Sequence, residues 1–402
     1  MLCAAAATEA AAQTPPQDGA IVLNEQLQLG DIFAGQTLNV VDAQDQVTVE
    51  TSAQGNSASG AVENGAITVR SDQDMRGDAV GRTDLTLGGN TWGEVNATSQ
   101  AGGNYLAVSA YNADLTVDAT QSNTGGLVSA TTEVGDSTAR LHGGVAVNAS
   151  AVSNTVALAG QASFLQGSID QSSSATVRSF GRIQSQYIPA PGSVDSEATV
   201  NTVAVNSNQT SGQNLSIVQR STGNFVEAEA SSNAGNAWDL AARARASANQ
   251  AVLFNEGGSV VTESNQTNTS FVRASALTTA YDFGQAEAQA RGVANELSVG
   301  NNDVFVQIDN TQFNSGGVDV TATFSGTNGY DAYVGAEAIG NNAVGYACSE
   351  CEGFLSATNT QTNSGNVSAV ANTSIAGSGR AVITGSTAVG NAASFYVSRP
   401  TH

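Results

Sequence analysis

TQFNSGGVDV (Thr311–Val320) and TQTNSGNVSA (Thr360–Ala369) are near copies placed 49 residues apart. Neither contains a group suited to covalent or acid–base chemistry. A phrase of amides, hydroxyls and glycines that recurs is a structural device, and its period defines the unit of construction. Aligned on glutamine, the same phrase returns at Gln73, Gln121, Gln171, Gln219, Gln266, Gln312 and Gln361, with steps of 48, 50, 48, 47, 46 and 49; Gln26 precedes this series by 47. An asparagine opening a short apolar run keeps step with it: Asn56, Asn104, Asn154, Asn201, Asn249, Asn295, Asn342 and Asn391. From each asparagine to the next glutamine there are 17, 17, 17, 18, 17, 17 and 19 residues. The last interval holds the CSEC segment, where two residues appear as an insertion. Two markers locked at one offset over seven units establish an internal repeat.

Within a unit the apolar residues alternate, as in TVAVN, FVEAEA and VDVTATF, and many are β-branched. Period two is the strand signature. Gly, Asn, Ser and Asp punctuate short strands in the manner of tight corners. Each unit also divides into two related segments of 22 to 26 residues: Gly317 stands 25 before Asn342, and Asn366 stands 25 before Asn391. The fold expected is an all-β solenoid (β-helix) of about fourteen short coils, two per unit, with a length of roughly 70 Å. In that arrangement successive marker glutamines lie roughly 9.6 Å apart, with small or amide residues from the intervening coil between them. Asn and Gln suit such stacks because each amide both donates and accepts, and Asn tolerates the left-handed backbone of a corner.

AWDLAARARASANQAVL (Ala237–Leu253) and GQAEAQARGVANELSV (Gly284–Val299) carry helix-forming residues. In repeat register, Arg243–Leu253 falls on the alternating DSEATVNTVAV (Asp195–Val205), so strand is expected there too. YIPAPGS (Tyr187–Ser193) interrupts the pattern with two prolines and reads as a protruding loop. Along the chain, 1–17 reads as a leader remnant, with the Ala-rich MLCAAAATEAAAQ implying export. Residues 18–55 read as an N-terminal cap and first coil, 56–390 as the repeat solenoid, and 391–402 as a terminal strand and tail.

Composition narrows the function. The 402 residues include 13 basic and 35 acidic side chains, a net charge of −22, and all the basic residues are arginine. Such a surface repels nucleic acid, and a phosphate loop that needs lysine is impossible. Charged residues make up only 12%, about half the usual globular share, so neutral amides and hydroxyls cover much of the surface. With two histidines, His142 and His402, no catalytic triad or metal cage assembles, and no calcium-binding repeat occurs. No cofactor and no metal are expected. His142 reads as a surface turn residue, and Cys348 and Cys351 in CSEC as a candidate local disulfide. Carbohydrate contact is a role for the late aromatics Tyr330, Tyr333, Tyr346, Phe354, Phe395 and Tyr396, against the plainer reading that they pack the coils.

The repeat unit, the small polar composition, the leader-like start and the ending GNAASFYVSRP together resemble the holdfast anchor protein D family of stalked alphaproteobacteria. Curli subunits show a more distant likeness in how Asn and Gln flank alternating strands. The resemblance implies a non-enzymatic protein on the outer membrane surface at the cell pole or stalk tip. There it would fasten an adhesive exopolysaccharide together with sister anchor proteins, one curlin-like and one a secretion-pore-like lipoprotein. Two other readings stand beside it: a curli-like self-assembling fibre subunit, and a polysaccharide-degrading β-helix enzyme, which needs a localised acid/base cluster that the regular repeat does not provide.

Overall fold

The computed structural model describes residues 19–303, 305–348 and 353–398, and every regular element in them is a strand. The leader segment, His402 and Cys351 lie outside the described residues. The expected β-solenoid is what the chain forms. One sheet stacks eight parallel strands in chain order: Ala20–Gln28, Ala66–Met75, Asp114–Asn123, Phe164–Ser173, Gly212–Ser221, Ser259–Asn268, Phe305–Asn314 and Phe354–Asn363.

The registers correct the expected coil count. Gln26 pairs with Gln73, Gln73 with Gln121, and so on to Gln312 with Gln361. A residue therefore lies beside its counterpart one whole unit away. Each unit is one rung rather than two coils, the stack has eight rungs, and its height is about 34 Å at the usual strand spacing.

The two halves of a unit are the two layers of a single rung. In the second rung, Ala66–Met75 and Ala79–Leu87 form one layer, and Val95–Tyr111 returns as the other. Val95, Ala97 and Ala101 pack with Ala79, Leu85 and Leu87 in one apolar core. Leu106, Val108 and Ala110 pack with Val69 and the neighbouring rung's Leu115 and Val117 in a second. The alternation changes phase between the two cores. In Val145–Gln161 the adjacent Ser153 and Asn154 are both buried, so residues before them face one core and residues after them face the other.

In the fifth and sixth rungs the first core narrows largely to alanine: Ala228, Ala230, Ala242, Ala244, Ala246, Ala274, Ala276, Ala286 and Ala288 are all buried. This resolves the helix-like segments as expected. Ala237–Leu253 lies in the strand Phe225–Asn255 and Gly284–Val299 in Phe271–Asn301. Alternate alanines turn inward where only a methyl group fits, and Arg and Glu turn outward.

YIPAPGS is not a protruding loop. It lies within Thr176–Asn208, with Ile188 fully buried, and forms the corner between layers with a register shift between Ile188 and Pro191. Proline serves here because a strand corner with a bulge leaves amides unpaired in any case. The N-terminal segment is itself a rung, since Ala20–Gln28 and Ile32–Val40 pair in parallel with the second. Its outer edge meets no other strand among the described residues. Positive φ is found at the turns joining the rungs, at Asn64, Asn112 and Ala162, not at the marker asparagines.

Candidate functional site

The marker residues occupy the waist between the two cores, where the layers are joined by buried amides. Asn201 Nδ2 donates to Asn249 Oδ1 of the next rung at 2.8 Å and to the Arg220 carbonyl in the opposite layer at 3.0 Å. Gln219 Nε2 donates to Gln171 Oε1 of the preceding rung at 2.9 Å and to the Gln250 carbonyl at 2.9 Å. The arrangement is reciprocal: each asparagine reaches the carbonyl just after the glutamine, and each glutamine reaches the carbonyl just after the asparagine. Seven Asn–Asn bonds run from Asn56 to Asn391 and seven Gln–Gln bonds from Gln26 to Gln361. The bonds are direct, one rung apart, so no intervening coil is needed.

One marker is corrected. Asn341, not Asn342, continues the ladder, accepting from Asn295 at 2.8 Å and donating to Asn391 at 2.7 Å. Asn342 turns outward and contributes its carbonyl to Gln312. Adjacent asparagines hide this choice in the sequence, because either keeps the period.

Several exposed aromatic side chains, Trp92, Tyr187, Trp238 and Tyr330, gather along the corner between layers. Trp92 stacks on His142 with centroids 4.0 Å apart and 10° between planes, and Tyr187 meets His142 edge-on at 5.8 Å. His142 Nε2 lies 3.2 Å from Asn90 Oδ1. Further along, Trp238 stands 61% exposed and Tyr330 50%, their rings 6.0 Å apart and steeply inclined. Gly284 makes this approach possible: a Cβ there would lie 2.9 Å from the indole and 2.3 Å from the Trp238 carbonyl oxygen. Gly329 likewise leaves room for Phe283, which a Cβ would meet at 2.5 Å.

Between these rings lies a groove of about 480 Å³, lined by Tyr187, Asn236, Trp238, Asp282, Asn328 and Tyr330 among others. Asn236, Asp282 and Asn328 are register partners on successive rungs, so amide, carboxylate and amide repeat at about 4.8 Å. Arg380 lies over the Tyr330 ring at 5.4 Å and pairs with Asp331 through two nitrogens. The Arg380 guanidinium holds the Asp331 carboxyl below its ordinary value, and Asp331 in turn raises Arg380. The groove is thus an open aromatic surface with hydroxyl-matching polar groups and one paired cation. Such a surface suits uncharged, hydroxylated ligands that present apolar ring faces.

Of the aromatics singled out in the sequence, Tyr330 lines this groove. Tyr346 and Tyr396, register partners outside the groove, stack on each other at 5.7 Å, and burial followed by the Tyr396 neighbour pushes the Tyr346 phenol up. Phe354 stacks on Phe305, Phe395 packs against the second core, and Tyr333 is half-buried. Trp92, Tyr187, Trp238 and Asp282 went unrecognised because they follow no constant sequence offset; only stacking at one corner unites them. Most arginines staple neighbouring rungs, as in Arg82–Glu133–Arg182, Arg178–Glu227–Arg273 and Arg243–Glu287. Among the described residues no cluster of His, Cys, Asp and Glu has metal-site geometry.

A family model described as holdfast attachment protein D matches residues 41–317, more than two thirds of the chain. The chain belongs to that family. The match takes in the rungs that carry the Trp92–His142–Tyr187 stack and Trp238, and stops short of Tyr330. Neither a curated protein nor a solved structure matches. Holdfast attachment is accordingly the role in which the groove and the ladders are to be understood.

Proposed function

We propose that this protein is a non-enzymatic anchor that holds the adhesive polysaccharide at the outer membrane surface, at the cell pole or stalk tip. The observation that carries this reading is the Trp238–Tyr330 groove: exposed ring faces beside a row of Asn236, Asp282 and Asn328 on a rigid corner. Sugar rings stack their C–H faces on such aromatics while their hydroxyls meet the amides. The rungs hold the groove in shape without ligand, so little ordering cost opposes binding. Sister anchor proteins, a curlin-like subunit and a secretion-pore-like lipoprotein, are the partners assigned to it in tethering. The test is retention of the purified chain on immobilised holdfast polysaccharide. Trp238→Ala and Tyr330→Ala are expected to lower retention at least tenfold, and Tyr346→Ala to leave it unchanged. Equal retention of all three variants would refute the groove as the contact.

A further inference from the structure

The two amide ladders end differently at the two ends of the rod. Gln26 Nε2 donates to the Ser57 carbonyl, while every later glutamine of the series also donates to the preceding rung; at the first rung that partner is missing among the described residues. Asn56 Nδ2 donates to Asn104, and Asn56 Oδ1 accepts no bond among the described residues. At the other end, Gln361 donates to Gln312 with Oε1 unengaged, and Asn391 accepts from Asn341 with Nδ2 unengaged among the described residues. The first rung therefore presents a glutamine donor and an asparagine acceptor, and the last presents a glutamine acceptor and an asparagine donor.

The remaining surfaces of the two ends match in the same sense. Following the registers through the stack, Ile32, Ala34 and Val40 are the counterparts of Val367, Ala369 and Ile375. Apolar rows thus face out at both ends, with Val22, in register with buried Val69, 43% exposed and Val382, in register with buried Ala332, 50% exposed. Residues 19–63 carry six acidic side chains and no basic one, whereas residues 353–398 carry Arg380 and no acidic one.

We infer that a second copy of this chain docks head to tail, the last rung of one rod seating against the first rung of the next. The junction is an eighth rung contact of the kind already present seven times: Gln26 Nε2 donates to Gln361 Oε1 of the second copy, and that copy's Asn391 Nδ2 donates to Asn56 Oδ1. Joining like ends would set donor against donor and six acidic groups against six, so only the head-to-tail sense is favoured. The contact uses the ends and leaves the aromatic corner open, so it stands or falls apart from the sugar-binding reading.

Val22→Lys places a charge in the apolar row of the first rung, and Ala369→Lys does so in the last. In sedimentation velocity the unaltered chain is expected to form oligomers that grow with concentration. Each variant alone, folded by circular dichroism, is expected to sediment as a monomer. Their equimolar mixture is expected to give a dimer that grows no further, because each supplies the end that the other lacks. A wild-type chain that stays monomeric at every concentration overturns the inference, and so do variants that associate as the wild type does. Should a lysine variant unfold, Thr37→Cys and Asn372→Cys replace outward residues at equivalent positions, about 4.8 Å apart across the junction and within disulfide reach. Mild oxidation of their mixture is expected to give a covalent dimer that neither gives alone, and its absence overturns the proposal equally.

Discussion

Asn249 donates to Asn295 at 2.8 Å along the stack and to the Thr267 carbonyl at 2.9 Å across it, so one side chain ties its rung to both layers of the next. Asn249 and Asn295 are fully shielded from water. Removing Asn249 leaves the Asn201 donor and the Asn295 ladder with a gap, and a buried polar group without a partner costs about 1–3 kcal/mol. Asn249→Ala is expected to destabilise by about 2–4 kcal/mol, read as a lower denaturant midpoint. The same logic separates neighbours: Asn341→Ala is expected to be severe, while Asn342→Ala stays within about 0.5 kcal/mol. Equal effects at the two positions would contradict the ladder's path.

The alanine core makes the opposite demand. Ala244 is buried among Ala228, Ala230 and Ala288, where the layers approach closely. Ala244→Leu adds volume with nowhere to place it and is expected to cost about 1–3 kcal/mol, measured in urea. Leucine at Val252, which is more than a third exposed, serves as the control and is expected to be tolerated.

The chain has two tryptophans, Trp92 and Trp238, and they report different parts of the corner. Trp92 is stacked on His142, whereas Trp238 forms the wall of the groove. In Trp92→Phe, added polysaccharide is expected to shift the remaining indole emission to the blue. In Trp238→Phe the emission is expected to hold steady. A shift confined to Trp92 would move the contact to the other end of the row.

Asp331 provides a pH signature. Its carboxyl titrates below the ordinary aspartate value of about 3.9 because Arg380 stabilises the charged form. A lowered folded value means that the pair's stabilisation is fully present above the unfolded value and disappears as the pH falls through the folded one. The melting temperature of the wild type is expected to exceed that of Asp331→Asn at pH 6 and to converge with it in strong acid. The gap should be small and should shrink with added salt, because the arginine lies in solvent. A gap that widens in acid would reverse the assignment.

The strand character, the repeat and its phase were readable from the chain alone, because buried alternation and fixed marker offsets survive in the residue order. Ala237–Leu253 shows the gain: helix propensity misleads, and alignment with Asp195–Val205 overrides it correctly. The number of residues per rung was not readable. A unit made of two similar halves has the same period whether each half closes a coil or lies as one layer of a larger one. Only the pairing of Gln26 with Gln73 decides between them. Tyr187–Ser193 misled for a related reason, since prolines mark a break in pairing without telling whether the chain leaves the surface or merely turns. The groove was least accessible, because Tyr187, Trp238 and Tyr330 come together through stacking and through the bare backbone at Gly284.

The opposed direction of the two ladders bears on how long such a rod can be. Glutamine amides all point their N–H groups toward the first rung and asparagine amides toward the last. A single column of aligned amides would build up a macroscopic dipole, as a helix does, and its ends would become costlier to bury as it lengthened. Two antiparallel columns cancel one another rung by rung. Insertion or loss of a whole unit then leaves the axial field unchanged, so the height of the structure is free to drift in evolution while its cross-section is held.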